Sequence, residues 1–236
     1  MNTDVVYGRQ PAREALRGRR GVHELHVTER ALAAEPWLRE AQNVRVKVEA
    51  EGALTALAGT HDHQGVVAVC EPYGYADAYE LARRPSPVLV CLDGVTDPHN
   101  LGAVCRSAEG AGATGVVLPA NRSARVTPAV CRTSAGAVEH LPVAVVPNLA
   151  RYIGDVKSAS LWAYAATADA ETSLWEADLR DGVLLVLGAE GKGIRPLVRR
   201  SCDAEVAVPL TGRVESLNVS VAAALLLFEA VRQRSG

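Results

Sequence analysis

A chain of 236 residues, 48% hydrophobic and 22% charged, has room for one or two domains with a substantial core. No apolar run reaches the ~20 residues that span a bilayer, and MNTDVVYGRQ lacks the basic-then-apolar pattern of a leader, so a cytoplasmic protein without membrane association is expected. The formal net charge of −2 gives nucleic-acid binding no whole-chain support, and the five widely spaced cysteines, Cys70, Cys91, Cys105, Cys131 and Cys202, form no CxxC pair and read as reduced core thiols.

In chain order, PAREALRG predicts a short helix, VHELHVT a strand with alternating apolar positions, and PWLREAQ a second helix. VRVKVEA alternates strictly and reads as a strand, EGALTALAG as a helix, and GVVAVC as a strand. The stretch EPYGYADAYELARRPSP has Pro, Gly, Ser and charge without a strong period, as a linker does. A second unit then opens with VLVCLDGV, a continuous apolar run of the kind buried on both faces. A helix through NLGAVCRSAEGAG, the strand GVVLP, a helix around TPAVCRTSAG, the strand LPVAVV and a helix at LARYIGDVKS follow. LWAYAAT, GVLLVLG and AEVAVPL read as three more strands, and VSVAAALLLFEAVRQR as a largely buried closing helix. Strands alternating with helices imply an α/β fold with a parallel sheet covered on both faces. Ligands of such sheets collect at the carboxyl ends of the strands.

Three loops at such ends stand out. DGVTDPHNLGAVCR leads Asp97, Pro98 and Asn100 into a helix that carries Arg106. GAEGKGI places glycines at 188, 191 and 193, where backbone can turn sharply or approach a ligand closely. It is neither a Walker loop, since Gly193 follows Lys192, nor a dinucleotide fingerprint, since the spacing is reversed and the loop lies late in the chain. In the third loop, PLTGRVESLN, Ser216 and Asn218 stand where short polar side chains cap a helix, and either can be the cap. Between Glu109 and Glu139 there is no acidic residue, while Arg122, Arg125 and Arg132 fall in NRSARVTPAVCR, a stretch able to meet phosphates or simply to be solvated. His61 and His63 flank Asp62, but no third distant cluster completes a ligand set, so no metal is expected. An RNA contact or a turn is the preferred reading of that triplet. Ser107, Ser134 and Ser220 have no His/Asp arrangement of a hydrolase.

Taken together, LDGVTDPHNLGAVCRSAEGAGATGVVLP, LVLGAEGKGI and VPLTGRVESLNVSVAAALLLFEAVRQR resemble, in order and spacing, the three motifs of the SpoU group of SPOUT RNA methyltransferases. VVYGRQPAREALRG and THDHQGVVAV resemble the RNA substrate-binding domain joined to that core in bacterial members. The resemblance implies a substrate-binding domain over 1–71, a linker over 72–87 and a catalytic domain over 88–236, whose parallel sheet ends in a deep trefoil knot, an exception to the rule against threaded chains. It implies a homodimer that transfers a methyl group from S-adenosylmethionine to a ribose 2′-hydroxyl of RNA. The donor is expected against Thr167, Leu187, Gly188, Gly191, Val208, Leu210, Leu217 and Asn218. The catalytic cluster is expected at Asn100, Arg106, Glu190, Ser216 and Asn218, and RNA contacts at Arg9, His61, His63, Arg122, Arg125 and Arg132. A guanidinium is almost always protonated, so Arg106 is read as orienting phosphate and stabilising oxyanion charge. Glu190 is read as fixing either Arg106 or the Ser216–Asn218 loop. The motifs point to a guanosine of 23S ribosomal RNA. Transfer RNA, an adenosine of the antibiotic-resistance type, or a non-catalytic ribosome-assembly factor are the alternatives.

Overall fold

The computed structural model describes residues 3–41, 43–158 and 160–235. Gln42, the last residue of the helix expected over PWLREAQ, lies outside them. The elements of the N-terminal region are β1 (Asp4–Tyr7), α1 (Arg9–Arg17), β2 (Val22–Val27), α2 (Glu29–Ala34), α3 (Pro36–Glu40), β3 (Arg45–Val48), α4 (Glu51–Ala58) and β4 (Val66–Cys70). Then come α5 (Ala78–Ala82), β5 (Val88–Asp93), α6 (Pro98–Gly110), β6 (Gly115–Pro119), α7 (Pro128–Thr133), β7 (Val143–Val146) and α8 (Leu149–Val156). The chain closes with β8 (Leu161–Ala166), β9 (Gly182–Gly188), α9 (Pro196–Ser201), β10 (Ala204–Val206) and α10 (Val219–Arg234). None of the described helices is long and apolar enough to cross a membrane.

The chain divides into two units. Unit 1 holds 1–74 together with 126–140; unit 2 holds 75–125 and 141–236. In unit 1 four strands lie in the order β1-β4-β2-β3. The sheet is mixed: β4 runs antiparallel to both β1 and β2, while β2 and β3 are parallel. β4 occupies the middle, which explains why VVAVC is apolar at successive positions, whereas edge strand β3 carries Arg45 and Lys47. Segment 126–140 is tied in by a buried ion pair. Arg20 Nε donates to Glu139 Oε2 at 2.8 Å, its Nη2 bonds Glu139 Oε1 and also reaches Cys131 Sγ at 3.2 Å. The two side chains are 7% and 1% exposed. A second Arg20 contact reaches Asp4 at 3.6 Å, so this guanidinium leaves no buried charge uncompensated. Burial pushes the Cys131 and Cys70 thiols up to about 12, in keeping with inert core cysteines.

Unit 2 is built on six parallel strands in the order β10-β8-β9-β5-β6-β7. All six residues of β5 are buried, as expected of a strand covered on both faces. Leu89 and Cys91 face a core shared with α5, α8 and α9, which contribute Leu81, Ile153 and Val198. Helices α6 and α10 pack together, α6 on β6 and α10 on β9. The stretch read as a linker carries α5, capped by Asp77, whose carboxylate accepts from Tyr79 N and Glu80 N, and Tyr152 donates its hydroxyl to Ala78 O at 2.9 Å. Helix α10 is less covered than the largely buried helix expected. Val219, Ala223, Leu226, Leu227 and Ala230 are inside, but Val221, Leu225 and Phe228 form an exposed apolar stripe at i, i+4 and i+7.

Candidate active site

The carboxyl end of the unit 2 sheet opens into a cavity of about 710 Å³, walled by the loops after β8, β9 and β10. Loop geometry follows from the glycines. At Gly188 a Cβ atom would stand 2.1 Å from Gly193 C and 2.3 Å from Ile194 N, so only glycine lets the chain fold back on itself there. Gly191 and Gly193 have φ of 72° and 62°, in the left-handed region. Ala189 N and Gly193 N close the turn by bonding to Asp93 O at 3.0 Å and Ala189 O at 2.8 Å. Asp93 then pins the far end of the loop. Its side chain is fully buried and accepts from Arg195 N and Nε, each at 2.8 Å.

On the rim, Asn100, Glu190 and Asn218 meet in one hydrogen-bonded cluster. Asn218 is the N-cap of α10, and its Oδ1 accepts from Ser220 N at 2.8 Å. A backbone N–H can only donate, so this bond fixes which way the amide faces and turns Nδ2 away from the helix. Nδ2 donates to Glu190 Oε1 and, at 2.9 Å, to Asn100 Oδ1. Asn100 in turn donates its own Nδ2 to Glu190 Oε1 at 3.1 Å. The arrangement is self-consistent: one carboxylate oxygen accepts from two amides, and one helix-capping oxygen sets the orientation of both. Asp97 caps α6 through His99 N at 2.8 Å and so positions Asn100 in its first turn.

All eight residues expected around the donor, Thr167, Leu187, Gly188, Gly191, Val208, Leu210, Leu217 and Asn218, line the cavity, and so do Glu190 and Ser216. Ser216 is exposed and Asn218, not Ser216, is the cap. Arg106 is exposed on α6, and Glu190 bonds Asn100 and Asn218 rather than Arg106. Sequence reading missed a charged network on the wall. Arg199 Nε donates to Glu205 Oε1 at 2.6 Å, its Nη2 bonds Asp169 at 3.1 Å, and Thr167 donates to Glu205 Oε2 at 3.4 Å. The Arg199 guanidinium holds the carboxyls of Asp169 and Glu205 below the usual range. Asp169 follows the end of a buried strand by three residues, a placement that could have marked it.

The residues expected to meet RNA are distributed over both units. In unit 1, His63 is 1% exposed: Gly65 N donates to its Nδ1 at 3.0 Å, so the proton sits on Nε2, which lies 3.0 Å from Thr55 Oγ1. With both nitrogens engaged in the core, its side chain is a structural group rather than an RNA contact. His61 is exposed, Arg9 pairs with Glu35 at 3.1 Å, and the Arg132 side chain packs over Gly8, whose φ of 99° and lack of a Cβ make room for it. In unit 2, Arg122 is exposed at the end of β6, whereas Arg125 turns its Nη1 onto the carbonyls of Ser123 and Ala124 and so braces the loop. No group of His, Cys, Asp and Glu able to hold a metal occurs among the described residues.

Two family models match the chain: "SpoU rRNA Methylase family" over residues 87–228, and "RNA 2'-O ribose methyltransferase substrate binding" over 5–76. Among curated proteins it is 45% identical to a 23S rRNA (guanosine-2'-O-)-methyltransferase of Ralstonia nicotianae, over 83% of this chain and 80% of that one. It is 38% identical to an uncharacterized tRNA/rRNA methyltransferase of Synechocystis; there the match takes in 98% of this chain but 63% of the relative, so the chain spans less than two thirds of that protein. Among solved structures, the SpoU methyltransferase AviRb from Streptomyces viridochromogenes matches with a TM-score of 0.85 and 27% identity, covering 99% of this chain and 90% of that one. Its complex with AdoMet matches with a TM-score of 0.84 and 26% identity, over 98% and 90%.

Proposed function

The chain belongs to the SpoU rRNA methylase family, and from that membership we propose that it transfers a methyl group from S-adenosylmethionine to a ribose 2′-hydroxyl of RNA, a guanosine of 23S ribosomal RNA being the target. The observation that carries this reading is the Asn100–Glu190–Asn218 cluster on the rim of a cavity large enough for a nucleoside-sized ligand. Substrate identity rests on the relatives named 23S rRNA (guanosine-2'-O-)-methyltransferase.

The cavity suits the donor. Leu187, Ile194, Val206 and Leu217 offer apolar walls to an adenine, and the glycine-rich turn brings backbone close to it. When bound, the donor supplies a sulfonium-activated methyl group. A ribose hydroxyl is a weak nucleophile at neutral pH, so the protein must orient it and stabilise oxygen charge as its proton leaves. Asn100 and Asn218 are locked by Glu190 and present a rigid edge to the reacting hydroxyl, while Ser216 is exposed on the same rim. Arg106, exposed and without an ion-pair partner among the described residues, is free to take the phosphate beside the target ribose. The trefoil knot and cytoplasmic action on ribosomal RNA belong to this same reading.

The test is transfer of labelled methyl from S-adenosylmethionine to protein-free 23S and transfer RNA, with 2′-O-methyl positions mapped by mass spectrometry. Label on one 23S guanosine is expected. Label on transfer RNA or on an adenosine keeps the reaction and replaces the substrate; no label and no donor binding sinks the catalytic reading.

A homodimer is part of the proposal, and the stripe Val221, Leu225 and Phe228 on α10 supports it. A helix apolar all round is stable in water only when something covers it. A second copy is the economical cover, because α10 packs on α6, which carries Asn100 and Arg106, and pairing there would put two sites side by side. Phe228→Glu is expected to convert a particle of twice the chain mass into a single chain, read by light scattering after size-exclusion chromatography. An unchanged mass would remove α10 from the interface.

A further inference from the structure

Within a chain of net charge −2, residues 9–20 hold five arginines and one glutamate. On α1, Pro11, Ala12 and Ala15 point into the core, which leaves Arg9, Arg13 and Arg17 at i, i+4 and i+8 along the opposite face. Successive members stand about 6 Å apart along the axis, four residues at ~1.5 Å each. Two of the three are matched within the protein. Arg9 pairs with Glu35 at 3.1 Å and Arg17 with Glu14 at 3.6 Å. Arg13 is different: it makes no ion pair among the described residues, and its Nε is buried without a hydrogen-bond partner. A covered Nε holds the stem of the side chain against the protein, while the two Nη nitrogens stay open to solvent without an ion-pair partner among the described residues. Those open Nη groups are the part of Arg13 that a ligand outside the folded chain can reach.

We infer that Arg13 is a phosphate-contacting residue of unit 1, and that the Arg9–Arg13–Arg17 face of α1 tracks the backbone of the RNA substrate. The inference rests on the RNA-methylating reading and deepens it. A phosphate oxygen is the acceptor a planar guanidinium fork matches best. Arg9 and Arg17 stand on the same face with their charge largely offset by Glu35 and Glu14, so the unpaired charge on it is that of Arg13. Contacts of this kind give affinity and register without reading sequence.

The experiment uses the full chain and a 23S ribosomal RNA transcript, with binding measured by filter retention across a salt series and methyl transfer measured alongside. For Arg13→Gln, binding about 5–10-fold weaker is expected, as for one lost phosphate contact, with the slope of log K against log salt reduced by about 1. KM for RNA should rise with it, while kcat and donor binding by calorimetry stay unchanged. Arg13→Lys should restore the salt slope. Because no described residue bonds the Arg13 side chain, the melting temperature of Arg13→Gln should not fall, which separates this role from a structural one. Wild-type RNA affinity and salt slope in Arg13→Gln would overturn the inference alone. A wild-type chain that binds RNA but transfers no methyl, with Arg13→Gln still weakened, would overturn the catalytic reading and keep this one; a wild-type chain that binds no RNA overturns both.

Discussion

Gly188→Ala is expected to abolish binding of S-adenosylmethionine and to destabilise the chain by more than ~4 kcal/mol, beyond the usual 1–3 kcal/mol of overpacking. The reason is what the new methyl would meet. Backbone atoms of Gly193 and Ile194 lie 2.1–2.3 Å from where it must sit, and backbone held by the Ala189–Gly193 and Asp93–Arg195 bonds does not step aside as a flexible side chain would. To accept alanine the turn must open, and the wall of the cavity opens with it. Gly191→Ala is the internal control: nothing lies within 4 Å of that position, so the cost is confined to a left-handed φ, about 1–2 kcal/mol. Calorimetric titration with the donor and denaturant unfolding read both effects. Wild-type donor affinity in Gly188→Ala would show that the turn is not the donor's seat.

Asn218→Ala is expected to lower kcat by about 10²–10³, the scale of removing one group from a preorganised polar site. Two roles are removed together, so a second substitution is needed to part them. Losing the cap costs about 1 kcal/mol of stability; losing Nδ2 frees Glu190 and Asn100 from each other's common anchor. Asn218→Asp keeps an oxygen for Ser220 N but sets a carboxylate against Glu190, which accepts and never donates when ionised. Near-normal stability with turnover as poor as in Asn218→Ala is the expected outcome. Wild-type turnover in Asn218→Asp would mean that the cap, not the cluster, matters to the reaction.

Much of unit 2 was legible because strands buried on both faces leave continuous apolar runs, and VLVCLD, GVVLP and GVLLVLG are such runs. Some short elements were not: β1 has four residues, and α2 and α9 six each, too few for a period to show, although β3 and α7, of the same lengths, were read. Helix α10 misled by composition alone, since Val221, Leu225 and Phe228 are as apolar as their buried neighbours and only packing tells them apart. The motif residues around the cavity were found in the sequence, but their pairing was not. Asn100 and Asn218 are 118 residues apart, and nothing local says that Glu190 would bond both of them rather than Arg106. His63 and Arg125 show the same limit: their partners lie within eight residues, yet whether a polar side chain turns inward to bond the backbone or outward to a ligand depends on loop geometry that has no period.

Because 126–140 folds with unit 1, the chain passes between the units three times, at 74/75, 125/126 and 140/141. The two halves are therefore not beads on a string. A single protease cut in the stretch 72–76 severs the N-terminal part of unit 1 from the rest but leaves 126–140, the remainder of unit 1, covalently joined to unit 2, and a fragment beginning at Val88 would carry Glu139 and Val138 without Arg20 and the rest of unit 1 that bury them. Such a fragment would display an orphaned carboxylate beside newly wetted apolar surface. Excising the contiguous motif set at Val88 is therefore expected to cost that fragment stability, read as a lower melting temperature than that of the full chain.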